Sequence, residues 1–344
     1  MSYNVSFISL GCAKNQVNCE QMMALCAEAG YSIQAQPEGC DVVVVNTCGF
    51  LASACEEAIE NILEMAELKK AGQVKKILVT GCMTQRYKED IFHELPEVDG
   101  LLGTGSYGDI ATAIAEVMEK GEKPCHLGNI HTANQSGERI LSTPPWYAYL
   151  RIAEGCDNHC AYCVIPSLRG KYRSRPMNEL LDEAAELASA GVKELIVIAQ
   201  DTSRYGIDLY GERKLAELLQ KLCAIDGFVW VRVHYLYPDE MSEELIDVLA
   251  NEPKIVKYLD IPIQHINNDI LRRMNRHCTG DEIRALLQKL RARIPGLVLR
   301  TSLITGLPGE GEAEFEELCT WLREVRLERV GVFPFSPEEG RPPP

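Results

Sequence analysis

Short apolar runs alternate along the chain with longer stretches whose apolar positions recur at helical spacing. In the first third, residues 5–10 (Val-Ser-Phe-Ile-Ser-Leu), 41–45 (Asp before four valines) and 76–80 (Lys-Ile-Leu-Val-Thr) predict strands. Between them the pattern predicts helices over residues 17–29 and 53–70, closed at Gly30 and near Gly72, because glycine readily takes the turn that ends a helix. A further helix is predicted over residues 109–120. Strands that are apolar on both faces and separated by helices imply a parallel sheet covered on both sides. Residues 131–145 are rich in Ser, Thr, Asn, Gly and Pro, show no period, and read as a linker.

The alternation then resumes at larger scale. Strands are predicted over residues 148–152, 194–199, 229–235, 258–261, 298–304 and 329–333. The intervening helices are predicted over residues 177–190, 214–224, 242–251, 281–293 and 312–325. Six strands are too few for a closed eight-fold barrel, so the pattern implies a partial, open β/α barrel. Polar residues gather just after these strands: Glu154, Gln200-Asp201, His234, Gln264-His265 and the turn from Gly306 to Glu310. The carboxyl ends of barrel strands are where active sites are built. The expected organisation is therefore α/β throughout. A doubly wound parallel-sheet domain (residues 1–130) and a linker (131–145) precede an open β/α barrel (146–340).

Composition narrows the function. Hydrophobic residues make up 46% of the chain, enough for real cores. No run of eighteen apolar residues occurs, and the start Met-Ser-Tyr-Asn-Val lacks a basic, apolar leader. A cytoplasmic protein without a membrane partner is the expectation. Thirty-five basic against fifty acidic residues leave a charge of −15, which excludes a broad basic coat for nucleic acid. Fourteen cysteines in a reducing compartment point to metal, redox chemistry or packing rather than disulfides.

Six of those cysteines form two sets. Cys156, Cys160 and Cys163 have the spacing C-x₃-C-x₂-C on one tight loop. Three thiolates placed so can hold three corners of an iron–sulfur cubane and leave its fourth iron open to a ligand, as a catalytic zinc keeps an open position. Zinc with His159 as fourth ligand and three structural cysteines are the alternatives. Cys12, Cys48 and Cys82 lie 36 and 34 residues apart, each just beyond a predicted strand. Neighbouring strand ends converge in a doubly wound sheet, so this set can meet at a metal or cluster; isolated buried thiols and a redox pair remain open.

The three-cysteine loop resembles that of the radical S-adenosylmethionine (SAM) superfamily, whose cluster binds SAM through its open iron and cleaves it to a 5′-deoxyadenosyl radical. Ser9-Leu10-Gly11-Cys12-Ala13-Lys14-Asn15, Asn46-Thr47-Cys48-Gly49-Phe50 and Thr80-Gly81-Cys82 resemble the N-terminal domain of methylthiotransferases. That resemblance spans nearly the whole chain. It implies a second, auxiliary cluster on Cys12, Cys48 and Cys82 that carries or donates sulfur, hence two [4Fe-4S] clusters and SAM as cofactors. One SAM methylates the sulfur, a second yields the radical, and the carbon radical takes the methylthio group; no protein acid or base is nominated. Ser-Leu-Gly-Cys-Ala-Lys-Asn, Leu168-Arg169-Gly170 with Arg173-Ser174-Arg175, and Ser336-Pro337-Glu338-Glu339-Gly340 are similar to the branch that modifies an aspartate β-carbon of small-subunit ribosomal protein S-twelve. The acidic balance agrees with a basic protein partner and with no nucleic acid as the modified substrate. A flavodoxin or ferredoxin is the expected electron donor. The tRNA adenosine branch is the alternative, and a non-catalytic iron–sulfur or metal protein a second.

The resemblance also implies SAM contacts from Tyr162 in the loop and from Gln200, Asp201 and Gln264 after their strands; core packing for Tyr162 and a helix or turn cap for Gln200-Asp201 are the alternatives. Arg300, a charge in an apolar strand, is expected to meet a carboxylate, either that of SAM or a structural partner. Arg169, Lys171, Arg173 and Arg175 form the densest basic run, read as a solvated loop or an attractor for the substrate. The other eight cysteines read mostly as packing residues. Asn18-Cys19-Glu20 departs from the family's Asp-Ser-Glu and puts a further thiol near Cys12. Family members usually continue into a substrate-binding TRAM domain; the chain reaches Arg341-Pro342-Pro343-Pro344 where that domain would begin, so its absence is expected.

Overall fold

The computed structural model describes residues 2–133 and 136–337; Glu338, Glu339 and Gly340 of the motif above and residues 341–344 lie outside the described residues. The chain divides into two compact units. The first comprises Met1–Ser142 together with Val164–Lys171, and the second Thr143–Cys163 with Tyr172–Pro344.

The first unit holds β1 (Asn4–Ser9), α1 (Ala13–Glu28), β2 (Ser32–Gln34), β3 (Val42–Thr47), α2 (Ala52–Lys70), β4 (Lys76–Gly81), α3 (Cys82–Tyr87), α4 (Asp90–Glu94), β5 (Gly100–Gly105), α5 (Ile110–Ala115) and β6 (Cys125–Gly128). All six strands are parallel, in the order β2-β1-β3-β4-β5-β6. Alternate residues serve opposite faces. Val43, Val45, Ile77 and Val79 pack under Ala58, Ile62 and Met65 of α2. Val42, Val44 and Leu78 pack under Met22 and Cys26 of α1 and Ile110 and Ile114 of α5. Apolar burial on both faces is why the runs read as continuous rather than alternating. The helix expected over 109–120 is a 3₁₀ turn (Tyr107–Asp109), then α5, then a π turn (Glu116–Lys120) that stops at left-handed Gly121. Strands β2, β5 and β6 were not legible as such: β2 and β6 are short edges, and β5 carries three glycines in six residues.

The second unit opens with β7 (Tyr147–Arg151) and β8 (Ala153–Glu154). After the segment Val164–Lys171, which contains α6 (Ile165–Arg169), come β9 (Arg173–Ser174), α7 (Met177–Ser189), β10 (Glu194–Ile198), α8 (Ile207–Tyr210), α9 (Leu215–Ala224), β11 (Trp230–Val233), α10 (Glu243–Asn251), β12 (Ile255–Asp260), α11 (Asn268–Arg273), α12 (Gly280–Arg293), β13 (Val298–Thr305), α13 (Glu312–Val325) and β14 (Arg329–Pro334). Six parallel strands follow the order β14-β13-β12-β11-β10-β7, the open β/α arrangement expected of six crossover units. The expected division ran straight on from residue 146. Instead, α6 packs in the first unit, where Val164 and Leu168 share a small core with Cys82 and Phe50.

Candidate active site

Three strands of the first unit run into a cysteine. Cys12 follows β1 and stands at the cap of α1, Cys48 follows β3, and Cys82 opens α3 directly after β4. β1, β3 and β4 are neighbours in the sheet, so the cysteines stand together at its carboxyl edge, at the point where strand order reverses. The approach is close: a Cβ built on Gly11 would lie 2.9 Å from Cys48 Cβ and 3.5 Å from its sulfur. Gly81 turns the chain into Cys82 at φ +105°, and any side chain there would strike the Thr47 carbonyl. Asn15 ties the three ends. Its Nδ2 donates to the carbonyls of Thr47 (2.9 Å) and Leu10 (3.2 Å), Asn46 Nδ2 donates to its carbonyl (2.8 Å), and its Oδ1 lies 3.9 Å from the Cys82 sulfur.

The electrostatics favour negative sulfur at Cys12 and oppose it at Cys48. Buried Arg169 of α6 donates to Asn18 Oδ1 at 2.8 Å and to Asn15 Oδ1. Cys12 keeps an exposed face. Partial desolvation pushes its thiol up, but the charges of Lys14 and Arg169 and the N–H groups of Asn15 and Lys14 outweigh it and hold the thiol below its ordinary value. Burial pushes Cys48 up to about 11; the Phe50 N–H offsets part of this and the neighbouring thiols add to it.

The second set lies on the loop between β8 and β9, whose antiparallel pairing sets Ala153 opposite Ser174 and Glu154 opposite Arg173. Buried polar groups anchor its base. Glu154 accepts from Arg151 Nη1, the Gly155 N–H and Gln200 Nε2, each at 3.1 Å. Asp201 uses both carboxylate oxygens, accepting from Asn158 Nδ2 (2.8 Å) and Ser203 Oγ (2.6 Å). Beyond α11, the Met274 carbonyl accepts from the Ala161 N–H and Asn275 Nδ2 donates to the His159 carbonyl, both at 3.0 Å. Burial pushes the Cys156 thiol up to about 12; a bound metal's charge is what deprotonates such a ligand.

The remaining expected residues divide. Tyr162 is half-buried against Ile270, Met274 and Leu307. Gln200 leaves its Oε1 buried and without a partner among the described residues. Gln264 takes a left-handed φ of +73° while its backbone bonds to Ser302 and Ile304 of β13. Arg300 meets its carboxylate within the protein, 2.8 Å from Asp260 Oδ1. His265 is buried and structural: its Nδ1 accepts from the Asn267 N–H at 3.0 Å, and Nε2 lies 3.4 Å from Glu310 Oε1. The basic run is not a solvated patch: Arg169 is buried as above, Arg175 is buried against Glu183 at 2.6 Å, and only Lys171 is exposed. Cys19 lies buried within α1, its thiol pushed up to about 12 by burial. Sequence reasoning quoted Asn15 only as part of the Cys12 motif and gave no role to Arg151, Tyr237 or Arg276, although Arg151 is a charge within a predicted strand and Tyr237 stands just beyond one.

Among the described residues no three His, Cys, Asp or Glu side chains are grouped closely enough to hold a single metal ion. A cubane asks for less convergence, since each cysteine binds a different iron. The residues fit such a group: three thiols on an anchored loop, and a buried unpartnered Gln200 oxygen near its base.

The Radical SAM superfamily model matches residues 150–322, and that of the uncharacterized protein family UPF0004 matches residues 4–103. The fold resembles TsrM from Kitasatospora setae, a radical S-adenosylmethionine methyltransferase solved with cobalamin and a [4Fe-4S] cluster. The TM-score is 0.71 at 14% identity, covering 97% of this chain and 75% of that one. A three-cysteine loop at the head of an open β/α sheet, matched to this model over half the chain, makes the protein a radical SAM enzyme, the class that uses an iron–sulfur cluster and SAM. Among curated proteins it is 52% identical to ribosomal protein uS12 methylthiotransferase RimO of Lachnoclostridium phytofermentans (98% of this chain, 77% of the relative). It is 47% identical to the RimO of Clostridioides difficile strain 630 (98% and 76%). The chain belongs to the RimO family.

Proposed function

We propose that this chain attaches a methylthio group to ribosomal protein uS12, at the β-carbon of an aspartate. In this reading Cys156, Cys160 and Cys163 hold one [4Fe-4S] cluster and Cys12, Cys48 and Cys82 hold a second. The observation that carries it is the pair of cysteine sets, each at the carboxyl edge of its own parallel sheet. When bound, the clusters and SAM supply the radical and sulfur chemistry that side chains cannot. The chain's part is to hold and polarise. Lys14 and Arg169 set positive charge at the Cys12 sulfur, and the Arg151–Glu154–Gln200 and Asn158–Asp201–Ser203 bonds fix the loop. Tyr162, Gln200, Asp201, Gln264 and Arg300 are assigned to the SAM pocket, with Asp201 and Arg300 acting through the loop base and Asp260. A low-potential one-electron donor, a flavodoxin or ferredoxin, is the assigned redox partner.

Mass spectrometry of uS12 and of tRNA from a deletion strain tests the substrate. The expected result is loss of the methylthio mark from uS12 alone, restored by this gene; loss from tRNA alone sinks the assignment.

A further inference from the structure

Cys160 has two neighbours that neither the fold nor the family assignment accounts for. Its sulfur lies 3.3 Å from the Tyr237 hydroxyl and 4.0 Å from Arg276 Nη1. The guanidinium of Arg276 stacks on the Tyr237 ring, 3.8 Å from its centroid, and its Nη2 donates to the Pro262 carbonyl at 2.6 Å. One flat cation thus bridges an aromatic face, a carbonyl and a cysteine sulfur. Both residues are held from behind. The Tyr237 N–H donates to Ser203 Oγ at 2.9 Å, and the Arg276 N–H closes α11 by donating to the Leu271 carbonyl.

Arg276 is 8% exposed, and among the described residues no carboxylate forms an ion pair with it. Asp239 feels its charge only from a distance. A buried guanidinium without an anion carries a heavy desolvation penalty. The stacked ring and one carbonyl offset part of it, and the remaining direction of the guanidinium is toward the sulfur of a cluster ligand. A thiolate carrying a cubane is the anion this arrangement lacks.

We infer that Tyr237 and Arg276 are positioning residues that donate to the Cys160 sulfur and raise the reduction potential of the loop cluster. This rests on the reading of Cys156, Cys160 and Cys163 as that cluster's ligands. The added electron makes the cluster more negative. A donor on the thiolate sulfur and a fixed positive charge beside it therefore stabilise the reduced form more than the oxidised one. The effect brings the cluster within reach of its donor before SAM is cleaved.

The test uses the full chain with Cys12, Cys48 and Cys82 all changed to Ala, so that the loop cluster stands alone. It is reconstituted anaerobically with iron and sulfide and titrated by electron paramagnetic resonance without SAM. Tyr237→Phe keeps the ring under Arg276 and removes only the O–H. It should lower the ratio of reduced to oxidised cluster at a fixed potential by roughly tenfold, about 59 mV for one electron. Arg276→Gln should shift the ratio further in the same direction, and Arg276→Lys should restore part of it. If Arg276→Gln no longer holds iron, Tyr237→Phe alone decides. Unchanged ratios in Tyr237→Phe overturn the inference, as does a shift that appears only after SAM is added, which would make Arg276 a SAM ligand instead. Should the chain with an intact loop take up no cluster, or keep it after Cys160→Ala, iron content reports that the reading of the loop itself has failed.

Discussion

Gly81 shows how one backbone position holds a chemical group in place. It must turn β4 into Cys82 at φ +105° with the Thr47 carbonyl against it. Gly81→Ala adds left-handed strain of about 1–3 kcal/mol plus that clash. Urea unfolding should register a loss of at least that size, with weakened iron retention at the first-unit cysteines; a neutral substitution would refute the close approach. His265 gives a pH signature. Burial holds its folded value below the ordinary 6.5, and the nearby Glu310 offsets only part of this. Below pH 6.5 the unfolded chain takes up a proton that the native state refuses, so stability rises with pH. His265's contribution is complete above 6.5 and drains away as the pH falls toward its depressed folded value. Denaturation midpoints from pH 7.5 to 5.5 should fall more steeply for the native chain than for His265→Gln.

At the scale of elements, strong local signals are also the ones that stabilise. Helix α12 begins with a capping box. The Glu282 N–H donates to Thr279 Oγ1 at 3.3 Å, and the Thr279 N–H donates to Glu282 Oε2 at 2.8 Å. Thr279→Ala should cost about 1 kcal/mol in urea unfolding and leave bound iron unchanged. The valine run of β3 and the helical period of α7 and α10 are equally readable, because each element buries its own pattern. β2, β5 and β6 escape reading because their pairing depends on a neighbour and not on their own side chains. The split of residues 107–120 into a 3₁₀ turn, α5 and a π turn is likewise unmarked by any change in the helical period of the sequence.

For the whole molecule, the proposal of two clusters makes a quantitative demand on iron. The reconstituted chain should bind about eight irons, four per cubane. Cys12→Ala and Cys156→Ala should each remove about half, and only Cys156→Ala should abolish 5′-deoxyadenosine formation on reduction with SAM. Equal loss of SAM cleavage in both variants would mean the two sets do not act as separate sites.

The chain's own order of residues determined a good deal. The spacing of Cys156, Cys160 and Cys163 is a local property, since three thiols within eight residues share a loop however the rest folds. The alternation of apolar runs and helical stretches sufficed for two parallel α/β sheets, because burial of each element follows from its own periodicity. The motifs around Cys12, Cys48 and Cys82 named the family. Tertiary structure alone decided what depends on remote segments meeting. Cys12, Cys48 and Cys82 converge because β1, β3 and β4 are adjacent in a sheet whose order differs from chain order. Arg169 follows the cluster loop in sequence yet serves the first unit, because Leu168 beside it packs on Cys82. Arg300, a candidate for the SAM carboxylate, meets Asp260 because β12 and β13 pair in that register. Tyr237 and Arg276, 77 and 116 residues from Cys160, reach its sulfur only through the ends of β11 and α11. Periodicity reports which face of an element is buried; it carries no information about which distant element covers it.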